Sequence, residues 1–123
     1  MISGKRVVDK IIESNFHLFD SFSPKYNYNF NLKRIKNLKN FRTVIIIGMG
    51  GSILGAKAIY SFLKHKIKKK FIFIDNLDQE FLREIKNTTK LSKSLFLIVS
   101  KSGNTNETII NSSFFKPYLK KTN

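Results

Sequence analysis

Residues 95–108 read LFLIVSKSGNTNET. Five apolar residues, Leu95 to Val99, run without a polar break into Ser100, Lys101, Ser102, Gly103, Asn104 and Thr105, after which a helical pattern begins. An uninterrupted apolar run of this length is what a strand buried on both faces of a parallel sheet requires. The expected order is therefore strand, hydroxyl-rich loop, helix N-terminus. A helix N-terminus leaves four backbone N–H groups unpaired and carries partial positive charge. Hydroxyls placed just ahead of it complete a seat for an anion, typically a phosphate. A second unit of the same kind lies upstream at residues 44–55, VIIIGMGGSILG.

Between and around these units the pattern alternates regularly. Val44 to Ile47 reads as a β-branched central strand, Ser52 to His65 as a helix, and Phe71 to Ile74 as a second apolar strand ended by Asp75 and Asn76. Asp78 is placed to cap a helix reaching about Asn87, with Phe81, Leu82 and Ile85 on one face. The last helix is expected from Asn104 or Thr105, where Asn104 and Glu107 have capping-box spacing, to Phe115, before Pro117 disturbs it. Strands and helices in alternation predict an α/β fold: three αβα layers, Rossmann-like, with a parallel sheet. The two-domain reading places a lead-in segment at 1–40 and the α/β domain at 41–123. Within the lead-in, residues 3–22 predict an amphipathic helix with Ser3 as cap and His17 near its end. The alternation Tyr26, Tyr28, Phe30, Leu32 predicts a brief edge strand. Three strands make a small sheet, which reads as the front part of a longer protein with an open strand edge suited to self-association.

Composition narrows the classes. The chain has 123 residues, 41% hydrophobic and 13% aromatic, as ordinary globular proteins do. Without cysteine there is neither a disulfide framework nor a cysteine metal cluster, which is compatible with a cytoplasmic location. No apolar run approaches the roughly 18 residues of a membrane-spanning helix, and Met1 to Phe16 lacks the features of a signal peptide. The formal charge of +15 attracts anions of every kind. Its lysines are scattered, however, and only Lys64 to Lys70 (KHKIKKK) is dense. No aromatic residues interleave with that run to stack on bases, so neither a specific nucleic-acid partner nor a membrane is expected. His17 and His65 lie far apart among isolated acids, a spacing that offers no metal site and no acid–base pair.

The loop Gly48-Met49-Gly50-Gly51-Ser52 leaves a strand at its C-terminal end, where open parallel sheets bind ligands. It is one glycine short of a dinucleotide fingerprint: position 53 is Ile, and Gly55 comes two residues late. Asp75 nevertheless stands about where a ribose-binding acid would, which keeps a dinucleotide-binding reading open. A P-loop fails, because Gly50 and Gly55 are followed by Ala56-Lys57-Ala58. In the later loop, Ser100, Ser102 and Thr105 supply three neutral hydroxyls, backbone N–H groups around Lys101 to Asn104 add donors, and Gly103 permits the turn.

Three segments, GMGGSILG (48–55), DNLDQEFL (75–82) and SKSGNTNET (100–108), together resemble the N-terminal sugar-isomerase (SIS) domain of the glucose-6-phosphate isomerase family. The resemblance covers residues 40–116. It implies an SIS fold, aldose–ketose isomerisation of glucose 6-phosphate and fructose 6-phosphate in glycolysis and gluconeogenesis, and no cofactor or metal. Carried over residue by residue, it sets Gly51 and Ser52 against the sugar. Ser100, Ser102 and Thr105 would hold the phosphate, with backbone help from Lys101, Gly103 and Asn104. Met49, Ile53 and Asn104 depart from the family pattern. The family's catalytic glutamate, and the His and Lys linked with ring opening, come from later segments, so the resemblance supplies no catalytic residue in this chain. Glu107 belongs to the phosphate-loop motif. A non-catalytic SIS module that senses a sugar phosphate is the alternative.

Overall fold

The computed structural model describes residues 23–27 and 31–119. The chain divides into two units, 1–32 and 33–123, and the fold is that of the second. After a short helix, α1 (Leu32–Asn37), come strand β1 (Thr43–Ile47), helix α2 (Gly51–Leu63), strand β2 (Lys70–Ile74), helix α3 (Gln79–Thr88), strand β3 (Ser94–Ile98) and helix α4 (Asn106–Phe114). The strands form one parallel sheet in the order β2-β1-β3, with Thr43 opposite both Lys70 and Ser94 and Ile47 opposite Ile74 and Ile98. The alternation of strands and helices read from the sequence is thus the observed architecture.

Its layers follow from the period of two along a strand. Ile45 and Ile47 of β1 point to one face with Ile72 and Ile74 of β2; Leu82 and Ile85 of α3, Leu91 and Phe115 close over them. Val44 and Ile46 point to the other face, where Ile53 of α2 is fully buried and Ala56, Phe71, Phe73 and Leu95 pack. Tyr60 of α2 lies over Phe71 and Phe73, with ring centroids 5.1 and 5.5 Å apart. Burying each β1 isoleucine stabilises the fold by about 1.5–3 kcal/mol, so the central strand anchors the domain.

Local chemistry sets the helix ends. Asp78 accepts from the Phe81 N–H at 2.9 Å and caps α3 as expected. Phe115 closes α4 and a 3-10 turn with Pro117, Lys116–Tyr118, follows. Three expectations need correction. The N-cap of α4 is Thr105, so Asn104 and Glu107 form no capping box. Ser52 is the second residue of α2, behind an N-cap at Gly50. The edge strand expected over Tyr26, Tyr28, Phe30 and Leu32 fails at its described ends, where Tyr26 closes a turn on the Ser23 carbonyl at 2.9 Å and Leu32 opens α1, while residues 28–30 lie outside the described residues. The helix predicted across residues 3–22, with His17, lies outside the described residues.

The basic run also has a structural member. The Lys69 ammonium donates to the carbonyls of Lys39, at 2.6 Å, and of Phe41, fastening the segment that leads into β1. No helix among the described residues is long and apolar enough to cross a membrane.

Candidate functional site

Chain order places the two loops of interest side by side. β1 and β3 are neighbours, yet the loop after β1 leads to α2 on one face of the sheet, and the loop after β3 leads to α4, whose Phe114 and Phe115 pack on the other. That divergence opens a crevice beyond the strand ends, where parallel sheets bind ligands. At its base the Val99 N–H donates to the Ile47 carbonyl at 2.9 Å, and the Gly48 N–H donates to the Ile74 carbonyl at 3.1 Å. Gly48 is so close to β3 that a Cβ there would sit 2.9 Å from the Val99 carbonyl oxygen. Only glycine fits.

In the first loop, Gly50 has φ +50°, a conformation that L side chains rarely adopt, and its carbonyl accepts from the N–H groups of Ile53 and Leu54 at 3.1 Å. Gly51 is exposed at the start of α2. Ser52 is half-buried, and its N–H is taken by the Met49 carbonyl at 3.0 Å.

The second loop is folded on itself. The Gly103 N–H donates to Ser100 Oγ at 3.0 Å, and the Asn104 N–H donates to Ser102 Oγ at 3.2 Å. Ser100 Oγ and Thr105 Oγ1 lie 3.3 Å apart, and Gly103 turns the chain at φ +74°. Ser100, Gly103 and Thr105 thus form one hydrogen-bonded set and Ser102 and Asn104 a second, while Lys101 is exposed. Two of the backbone donors expected for an anion, those of Gly103 and Asn104, are engaged by serine oxygens. The Ser102 hydroxyl keeps its proton to donate, whereas Ser100 and Thr105 share one hydrogen bond and so keep one proton between them. Thr105 makes no side-chain cap bond, so the first-turn N–H groups of Asn106, Glu107 and Thr108 are open donors, and sequence reasoning had placed the donors slightly upstream. That shift was legible only as the ambiguity between two adjacent cap-forming residues.

Helix α4 is docked by its polar side. Its buried residues are Thr108, 3% exposed, and Asn111, 0% exposed, whereas Ile109 and Ile110 are 45% and 53% exposed. Asn111 Nδ2 donates to the Asn76 carbonyl at 2.9 Å, while Asn111 Oδ1 and Thr108 Oγ1 are buried without a partner. Leaving such groups unpaired costs about 1–3 kcal/mol each. This face was not predicted by apolar spacing.

Asp75, the residue that kept the dinucleotide reading open, is held by Lys57 of α2 at 2.5 Å. One oxygen of its carboxylate, Oδ2, is thus engaged by an ammonium. Among the described residues no group of His, Asp and Glu could hold a metal ion. One cavity of about 380 Å³ lies between α3 and α4, and another of about 460 Å³ runs along the outer edge of β3. Neither of these two is bordered by residues 48–52 or 100–105.

The chain is similar to curated glucose-6-phosphate isomerases. It is 41% identical to that of Borrelia garinii subsp. bavariensis over 95% of this chain and 24% of the relative. To that of Methanocaldococcus jannaschii it is 42% identical over 78% of this chain and 24% of the relative. It thus spans about a quarter of the length of these relatives, 24% in each case. Among solved structures, a hypothetical protein from Thermus thermophilus superposes with a TM-score of 0.66 at 30% identity, covering 72% of this chain and 21% of that one. With residues 5–123 matching phosphoglucose isomerase as a family, the chain belongs to the phosphoglucose isomerase family.

Proposed function

We propose that this chain is the sugar-phosphate-binding part of a glucose-6-phosphate isomerase, with an SIS-type domain at 41–123 behind the segment 1–40. The observation that carries the reading is the junction of Gly48 with Val99, which sets a glycine loop and a hydroxyl loop at one switch point of the sheet. Ser102 and one of the paired hydroxyls of Ser100 and Thr105 then offer a proton to the phosphate, and the loop backbone at Lys101, Gly103 and Asn104, together with the open first turn of α4, surrounds it. Gly51 and Ser52 lie against the sugar. Neutral donors and a helix terminus hold a dianion without trapping it in ion pairs.

The reaction opens the sugar ring and moves a proton between C1 and C2 through a cis-enediol, with a carboxylate as base. No electrons leave the substrate, so no cofactor is called for. This chain supplies the grip on the phosphate end and no catalytic residue. Its setting is glycolysis and gluconeogenesis in the cytoplasm, and its partner beyond the sugar phosphate is a second copy, paired through the outer edge of β3, where Leu97 and Ile98 are exposed.

Calorimetric titration with glucose 6-phosphate, fructose 6-phosphate, NAD and inorganic phosphate at matched ionic strength tests the reading. Matching suppresses the background attraction of a +15 protein for any anion. The sugar phosphates bind better than phosphate, NAD is silent, and Ser102→Ala or Thr105→Ala weakens binding. Unchanged affinity in both variants would sink the site assignment.

A further inference from the structure

Asn111 is fully buried on a helix whose other inward residue near the loop is Thr108, and it is the side chain that joins α4 to another element by a hydrogen bond among the described residues. The C-terminal end of α4 is fixed by aromatic packing: Phe115 is fully buried, with its ring centroid 5.5 Å from that of Phe96 and 5.0 Å from that of Phe114. Along the rest of the helix Ile109 and Ile110 turn outward, and the inward residues are the polar Thr108 and Asn111. About one turn before the Phe115 anchor, the amide of Asn111 reaches the Asn76 carbonyl at 2.9 Å. Its orientation is set by chemistry, since only the Nδ2 end can donate to a carbonyl. Asn76 follows β2 by two residues, and the last residue of β2, Ile74, accepts from the Gly48 N–H at 3.1 Å. One short stretch of backbone, Ile74 to Asn76, therefore holds both the start of the glycine loop and the helix behind the hydroxyl loop.

We propose that Asn111 is a positioning residue: through the Asn76 carbonyl it sets the pose of α4, and so the direction in which the helix N-terminus and the Ser100–Thr105 loop face a bound phosphate. This rests on the reading of that loop as the phosphate seat. Asn106 lies roughly 14 Å along the helix axis from the Phe115 anchor, so a tilt of about 10° moves it by about 2 Å. Hydrogen bonds to phosphate oxygens span only about 2.7–3.2 Å and do not survive such a displacement.

The test uses the 123-residue chain, inorganic phosphate and sulfate as probes, and three readouts: affinity, melting temperature, and backbone amide shifts of residues 103–108. Asn111→Leu removes the donor at similar volume; it weakens phosphate binding about tenfold and moves the amide shifts. Asn111→Gln, which keeps an amide, recovers part of the affinity. Should the leucine variant not fold, Asn111→Ser, too short to reach Asn76, takes its place in the same comparison. A lower melting temperature with phosphate affinity unchanged makes Asn111 a structural strut only and overturns the proposal. Failure of the unsubstituted chain to bind phosphate better than sulfate removes the seat and the proposal with it. Binding by the unsubstituted chain with equal binding by the variants overturns the positioning role alone.

Discussion

Replacing Gly48 with alanine adds one carbon where the backbone just after β1 closely approaches β3. The new Cβ stands 2.9 Å from the Val99 carbonyl oxygen, against an ordinary contact of 3.4–4 Å, so one backbone must retreat by half an ångström or more. Gly48 cannot move away freely, because its N–H is bound to the Ile74 carbonyl at 3.1 Å, and its neighbour Ile47 is fully buried. Val99 is therefore the side that shifts, which strains the 2.9 Å bond from its N–H to the Ile47 carbonyl. Overpacking a tight site costs about 1–3 kcal/mol, and losing most of one hydrogen bond adds about 0.5–1.5 kcal/mol. The expected loss is about 2–4 kcal/mol, which for a domain of this size lowers the melting temperature on the order of 10 °C. Urea unfolding followed by circular dichroism measures it, and titration with phosphate on the same samples shows whether parting the loops also weakens binding. A melting temperature within about 1 °C of the unsubstituted chain would refute the close approach of β1 and β3.

Gly55 makes the opposite case: it lies inside α2 with open space where a Cβ would go, so Gly55→Ala raises stability by about 0.5–1 kcal/mol in the same assay. Asp78→Ala removes the oxygen that holds the Phe81 N–H and lowers stability by about 1 kcal/mol, visible as a smaller denaturation midpoint with unchanged slope.

The sheet was legible because its signal is short and chemical. Val44 to Ile47, Phe71 to Ile74 and Leu95 to Val99 are apolar runs bounded by polar or glycine residues, but only the first is buried along its length. The last, read as buried on both faces, lies at the sheet edge with Leu97, Ile98 and Val99 exposed. Asp78 was legible for the same reason: a carboxylate one residue ahead of an amphipathic run has one favoured use. The start of α4 was not. Asn104 and Thr105 both suit a cap, and Ser102 decides between them by accepting from the Asn104 N–H, which draws Asn104 into the loop. Spacing also could not show that α4 buries Thr108 and Asn111 and exposes Ile109 and Ile110, since periodicity assumes that apolar residues face inward. Nor could a run of lysines disclose that Lys69 alone reaches back to two carbonyls.

Strand order has a kinetic consequence. The central strand comes first in the chain: Thr43 meets Lys70 on one side, and on the other it meets Ser94, nearly twice as far along. The entropy of closing the longer crossover exceeds that of the shorter by only about 0.6 kcal/mol, yet the β1–β3 junction does not exist until that crossover has closed. The proposed phosphate seat is complete only once that longer crossover has closed. An anion that binds there stabilises the finished sheet by mass action and slows its opening. In time-resolved unfolding, added phosphate lengthens the lifetime of the native state while the refolding rate stays where it was.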